Sequence, residues 1–272
     1  MQGRLSPSTS GKIQEFPIQT WQDEFEMAAG LGLKAIEWTV DYLDYRSNPI
    51  FKSELNSKLA NLINEHSMHI PSITLDCFVE APIHAKNELT GLKSEIKDLI
   101  WVAENIRMPG LNILVLPIVA EAGAFTEEKM KNLVLQLNGA QSAIADLGKM
   151  VAIECEFQVP IIRKLLDELD PSIYGVNFDM GNSAAVGNNA VEEITTCGDR
   201  IFNVHIKDRI LGGKTVPLGQ GSVDFKEVSK SLQDIGYAGN MIMQAARDFN
   251  RPEAQVISEY ISFCRELGWV ND

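Results

Sequence analysis

Val151-Ala152-Ile153-Glu154-Cys155, Gly175-Val176-Asn177-Phe178-Asp179 and Phe202-Asn203-Val204-His205-Ile206 are short runs rich in β-branched and aromatic residues. Each carries a carboxylate or an imidazole at or near its C-terminal end. A fourth run, Met241-Ile242-Met243, leads into Gln244. Glu154, Asp179, His205 and Gln244 stand 25, 26 and 39 residues apart, about one strand-helix unit each time. Runs of this length and composition read as buried strands.

Working outward, residues 35–40, 69–75 and 111–116 have the same character and join 151–155, 175–178, 202–206 and 240–244 as strand candidates. Helical stretches lie between them, over 20–31, 53–65, 89–106, 126–147, 160–169, 191–197, 225–235 and 252–267. In the longest, Met130, Leu133, Val134 and Leu137 form the i, i+3, i+4, i+7 stripe of an amphipathic helix, which Thr126 starts and Gly148 stops. Strict alternation of strand and helix implies right-handed crossovers and a parallel sheet. Seven strands are visible, and an eighth would close a barrel. Residues 1–5 are the candidate, so the first strand is expected to be short or clipped. An open doubly wound sheet normally carries a Gly-rich phosphate turn after its first strand, and nothing after Leu5 or Val40 has that form. The predicted fold is α/β, a (β/α)8 TIM barrel, as a single domain over residues 1–272.

Composition narrows the partners. The 272 residues are 45% hydrophobic and 22% charged, ordinary for a globular chain able to bury a large core. With 24 Lys+Arg against 37 Asp+Glu, the formal charge of −13 argues against nucleic acid. No apolar run approaches the roughly 20 residues that span a bilayer, and the first ten residues show no secretory apolar core. The four cysteines, Cys77, Cys155, Cys197 and Cys264, are widely spaced, as expected for reduced thiols in a cytoplasmic enzyme.

In such barrels the C-terminal strand ends build the active site. Glu154, Asp179 and His205 on successive strands, with Gln244 as a weaker neutral ligand, suit one divalent metal ion: Zn, Mn, Mg or Co. Arg4, Lys207, Arg209, Lys214 and Arg247 are cations placed to meet an anionic substrate. The pair Gly212-Gly213 and the turn Gly219-Gln220-Gly221 offer backbone N–H groups to a phosphate, or merely shape a loop. Glu37 is read as a substrate-binding residue at the mouth, beside Trp38, whose ring either walls a sugar face or packs in the core.

The sequence resembles the sugar phosphate isomerase/epimerase family of xylose isomerase-like barrels. The resemblance is carried by Met1-Gln2-Gly3-Arg4-Leu5-Ser6-Pro7, Gly32-Leu33-Lys34-Ala35-Ile36-Glu37-Trp38 and Ile153-Glu154-Cys155-Glu156. Val176-Asn177-Phe178-Asp179-Met180-Gly181-Asn182-Ser183, Asn203-Val204-His205-Ile206-Lys207-Asp208-Arg209 and Pro217-Leu218-Gly219-Gln220-Gly221-Ser222-Val223-Asp224-Phe225 complete it. It implies metal ligation by Glu154, Asp179 and His205. Two positions depart from the family pattern. The usual fourth ligand, a Glu, is Gln244, and a family His three residues after the Asp is Asn182, here a candidate substrate-binding residue.

The resemblance implies isomerisation or epimerisation of a sugar or sugar phosphate through an enediolate. Glu154 is the candidate base and Glu156 a candidate second group, with His84 as a further option. Because Gln244 cannot act as a base, the balance moves toward single-base isomerisation. Competing readings are a keto-polyol dehydratase on the same barrel and a non-catalytic sugar-binding barrel. A repair endonuclease would need more histidine ligands than the 4 His here supply. The expected partner is a small-molecule sugar, with no nucleic acid and no membrane; a homo-oligomer is an open reading.

Overall fold

The computed structural model describes residues 5–8, 11–42, 45–119 and 125–270. Its strands are β1 (Trp38–Thr39), β2 (Ser72–Thr74), β3 (Ile113–Ile118), β4 (Met150–Cys155), β5 (Tyr174–Asp179), β6 (Ile201–Ile206), β7 (Asp208–Arg209), β8 (Thr215–Val216) and β9 (Met241–Met243). All but β7 and β8 form one parallel sheet, in chain order β1-β2-β3-β4-β5-β6-β9. β7 and β8 make a small antiparallel hairpin beyond β6.

The helices are α1 (Asp23–Gly30), α2 (Ser53–Glu65), α3 (Cys77–Glu80), α4 (Ile96–Asn105), α5 (Glu127–Asp146), α6 (Val159–Asp167), α7 (Met180–Val186), α8 (Ala190–Cys197), α9 (Phe225–Asp234) and α10 (Glu253–Glu266). The longer ones cover the strands with the stripes their sequences carry. On α5 the buried residues are Met130, Leu133, Leu137, Ala140 and Ile144, and Thr126 caps the helix by accepting from Lys129 N at 3.2 Å. The strands behind are buried on both faces, as in a sheet covered by helices.

The sheet is curled into a TIM barrel, so side chains from distant strands meet inside it. Glu37, just before β1, contacts His205 of β6. The residues after β9 reach the start of the chain, where Arg247 donates to Ser6 O at 2.9 Å and Ile13 O at 2.8 Å. The eighth strand expected at residues 1–5 falls almost wholly on residues 1–4, outside the described residues. Leu5 is a buried bend whose N–H, with that of Ser6, donates to Glu24 Oε1.

Three local expectations are corrected. The helix expected over 89–106 begins only at Ile96. Before it, Asn87 Oδ1 accepts from Leu89 N and Thr90 N, and Gly91 takes φ +71°, which closes a turn that helical geometry excludes. Two short helices, α3 and α7, directly follow Asp76, two residues past β2, and Asp179, the last residue of β5, with no apolar periodicity long enough to announce them.

Candidate active site

Period-two alternation places every second strand residue inside the barrel. On β4 this presents Glu154, and on β5 both Asn177 and Asp179. β6 would be out of phase, but it carries an extra residue. Val176 pairs with Ile201 and the next residue, Asn177, with Asn203. This bulge at Phe202 brings Asn203 and His205 level with Asn177 and Asp179, so the four side chains share one face.

One ligand atom from each of Glu154, Asp179 and His205 lies within 4.8 Å of the other two, all three residues being buried. His205 Nε2 contacts Glu37 Oε1 at 2.8 Å. An imidazole bonded to a carboxylate through Nε2 carries its hydrogen there, leaving Nδ1 turned to the cluster, 3.1 Å from Glu154 Oε2 and 3.9 Å from Asp179 Oδ2. Asn177 Nδ2 donates to Glu154 Oε2, Asn182 Nδ2 donates to Glu154 Oε1, and Asn182 N caps onto Asp179 Oδ1 at 2.8 Å. Asp179 Oδ2, although buried, has no hydrogen-bond partner. Lys207 Nζ stands 3.3 Å from it.

The charges show what this cluster lacks. Burial pushes Glu37 up, but His205 and the hydroxyls of Ser72 and Thr74 outweigh it and hold Glu37 at about 2. Burial pushes His205 down, yet Glu37 and Glu154 outweigh it and lift the imidazole to about 10. Glu154 is lowered, since His205 and Lys207 overcome its desolvation, and Asp179 is raised, mainly by burial. The carboxylates therefore retain a positive charge between them. A divalent cation among Glu154, Asp179 and His205 Nδ1 would replace that proton and satisfy Asp179 Oδ2. The residues fit such an ion, with Glu37 orienting the histidine from behind.

Above the cluster opens a cavity of about 690 Å³, within the range of small-molecule sites. Glu154, Glu156, Asn182, Lys207, Arg209, Lys214 and Gln244 line it, together with Gln14 and Asp76. Glu156 lies one residue beyond β4, its carboxylate paired with Arg209 Nη1, which also donates to Asn182 Oδ1 at 2.7 Å. Gln244 is at the rim, where its Oε1 accepts from Lys207 Nζ at 2.9 Å and its Nε2 donates to Gln14 Oε1. In this arrangement its amide oxygen is taken up by Lys207.

Other expected site residues lie elsewhere. Glu37 is fully buried below the mouth, its oxygens taken by His205, Ser72, Thr74 and Asn203. Arg247 is buried against Glu253 and the chain start, outside the cavity lining. Arg4 lies outside the described residues. His84 is buried beside Phe125 and held near 4, mainly by desolvation. Trp38 packs on Phe16 and Trp21, so the core reading of its ring holds. The backbone phosphate cradle is overturned, because Gly219 N and Gly221 N donate to Asp208 Oδ2, and Gly212 N and Gly213 N donate to carbonyls of Ala185 and Ile210. At Gly221 a Cβ would sit 2.1 Å from Asp208 Oδ1, so glycine is required there for packing of the loop.

Asn177, Asn203, Gln14 and Asp76 are site residues that sequence reasoning missed. The two asparagines had a usable signal, since each stands two residues before a metal-ligand candidate and shares its face. Gln14 and Asp76 sit in loops and had none.

A family model of the xylose isomerase-like TIM barrel matches residues 25–267, so the chain belongs to that family. L-ribulose-5-phosphate 3-epimerase UlaE of Shigella boydii is 24% identical over 251 residues, covering 88% of this chain and 87% of that protein. Among solved structures, D-psicose 3-epimerase from Clostridium cellulolyticum H10 with D-tagatose superposes with a TM-score of 0.70 at 12% identity, covering 91% of this chain and 93% of that one. The IolI protein with a bound zinc atom gives a TM-score of 0.71 at 17% identity, over 92% and 94% of the two chains. At these identities the solved structures share the fold. No helix among the described residues is long and apolar enough to cross a membrane.

Proposed function

We propose that this protein is a divalent-metal-dependent epimerase or isomerase of a sugar phosphate, acting in the cytoplasm through an enediolate. The observation that carries the reading is the buried Glu154, Asp179 and His205 cluster, with Asp179 Oδ2 lacking a hydrogen bond and Glu154 reaching the lining of a small-molecule-sized cavity. The names of the curated relatives and the cations of the lining support the substrate class.

A divalent ion bound by the three residues, with Gln244 as a possible further donor, would polarise the substrate carbonyl and stabilise negative charge on its oxygen. The rest falls to side chains of this chain. Glu154, lowered so that it is ionised at neutral pH, takes the C–H proton next to the carbonyl. Lys207, held charged by Asp179 and Glu154, places a cation beside the developing oxyanion. Glu156 and Asn182 fix the Arg209 guanidinium at the wall, where it can bind a substrate oxygen or phosphate.

The test is metal analysis of the purified protein followed by NMR detection of solvent deuterium entering L-ribulose 5-phosphate and related ketose phosphates and free ketoses. Exchange at one carbon, abolished by chelation and restored by Mn, Zn, Mg or Co, is the expected result. Glu154→Gln should lower exchange about 10²- to 10⁴-fold, with occupancy measured in the same sample. Full exchange by a metal-loaded Glu154→Gln protein would refute the assignment.

A further inference from the structure

We infer that Asp76 is the second acid–base group of this site, taking the part that a carboxylate at position 244 would play. The inference rests on the proposed epimerase reading and concerns how that reaction is completed.

Inverting one carbon requires a proton to leave on one face and return on the other, so two groups on different walls serve it better than one. Gln244 can neither take nor give that proton. Its amide is instead one link in a chain around the rim. Asp179 Oδ2 faces Lys207 Nζ at 3.3 Å, Lys207 donates to Gln244 Oε1 at 2.9 Å, and Gln244 donates to Gln14 Oε1. Gln14 Nε2 then donates to Asp76 Oδ2 at 2.5 Å. The chain ends on a carboxyl group that faces the same cavity as Glu154.

Asp76 stands between β2 and α3, and β3 separates it from the strand that carries Glu154. The two carboxyls therefore reach the same cavity from different strands. Asp76 does not cap α3 with its side chain, and its carboxyl accepts a hydrogen bond from Gln14. Burial first, then Asp41, Glu154 and Glu37, lift its carboxyl to about 7, so both protonation states are accessible near neutral pH. Lys12 nearby bears on it from the chain start, where it also pairs with Glu80.

The step balances without any redox partner. Glu154 takes the proton, and the C–H electron pair becomes the double bond of the enediolate. Asp76 gives its O–H proton to the same carbon from the other wall, and that electron pair forms the new C–H bond. Asp76 is left as a carboxylate and Glu154 as an acid, and proton exchange with solvent returns both to their starting states.

The experiment compares wild type, Asp76→Asn and Asp76→Glu as metal-loaded full-length proteins in D2O. Wild type that exchanges no proton with any candidate sugar refutes the epimerase reading itself, before a variant is made. Given an active wild type, Asp76→Asn should keep its metal and the exchange due to Glu154, while epimer formation falls about 10²- to 10⁴-fold. Asp76→Glu, which keeps a carboxyl group, should recover part of that loss. Epimer formation by Asp76→Asn within threefold of wild type overturns the inference. So does loss of metal, or of exchange together with turnover, since either makes Asp76 a structural or positioning group. A wild-type measurement stands independently of how the variants fold. Substrate deuterated at the inverting carbon, turned over once in light water, should give product without the label; retained label overturns the two-group scheme.

Discussion

Two halves of the barrel are built differently. β3 to β6 are six residues each and pair over long registers, whereas β1, β2 and β9 have two or three residues. The long strands carry Glu154, Asp179 and His205, whose side chains are held by Asn177, Asn182 and Glu37, with Asn203 bonded in turn to Glu37 and Asn177. The short strands give way early to loops, and these supply Gln14, Asp76 and Gln244, joined by single hydrogen bonds between flexible side chains. Rigid, doubly supported groups can define a metal site; groups on short strands and loops can be exchanged without disturbing it. Gln244, at the position where the resemblance implies a carboxylate, falls in the second region.

If this division is real, substitutions in the two regions should fail in different ways. The largest effect is expected from His205→Ala and Asp179→Ala, each of which should lose most bound metal and take turnover below detection. Elemental analysis of the purified variants checks it, and full occupancy in both would break the comparison outright. Next comes Glu37→Gln, which never touches the cavity. Loss of the carboxylate behind His205 should weaken metal affinity about 10- to 100-fold, measured by competition with a chelator. Gln14→Ala belongs to the other region: metal content should stay at the wild-type level while turnover falls roughly tenfold to a hundredfold, because Asp76 and Gln244 lose the group that positions them.

The smallest effect is on stability and has a definite sign with pH. Asp76 is lifted in the folded protein to about 7, against roughly 3.9 in an unfolded chain. Its contribution is therefore fully present below about pH 4 and is lost as pH rises through 7, where the folded state must ionise a partly buried carboxyl. Asp76→Asn should raise Tm by about 2–4 °C at pH 8 and leave it unchanged near pH 4, measured in chelator. An increase that is the same at both pH values would show that Asp76 is not the titrating group.

The sequence by itself determined the alternation of strands and helices, the parallel sheet, and the three ligand candidates. The reason is physical: burial on both faces forces apolar runs, and a polar residue closing such a run stands out against it. Even the helix stripe at Met130, Leu133 and Leu137 follows from periodicity alone. Tertiary structure decided the rest. The bulge at Phe202 sets the phase of β6, and a strand period read from sequence contains no bulge. Glu37 lies 168 residues from His205 and meets it only because the sheet curls, which turns an expected substrate contact into a support for the candidate metal ligands. Asp76 and Gln14, 62 residues apart, acquire their part through one hydrogen bond across the barrel mouth. Loop residues carry no periodicity, and their chemistry depends on which other loops the barrel places beside them.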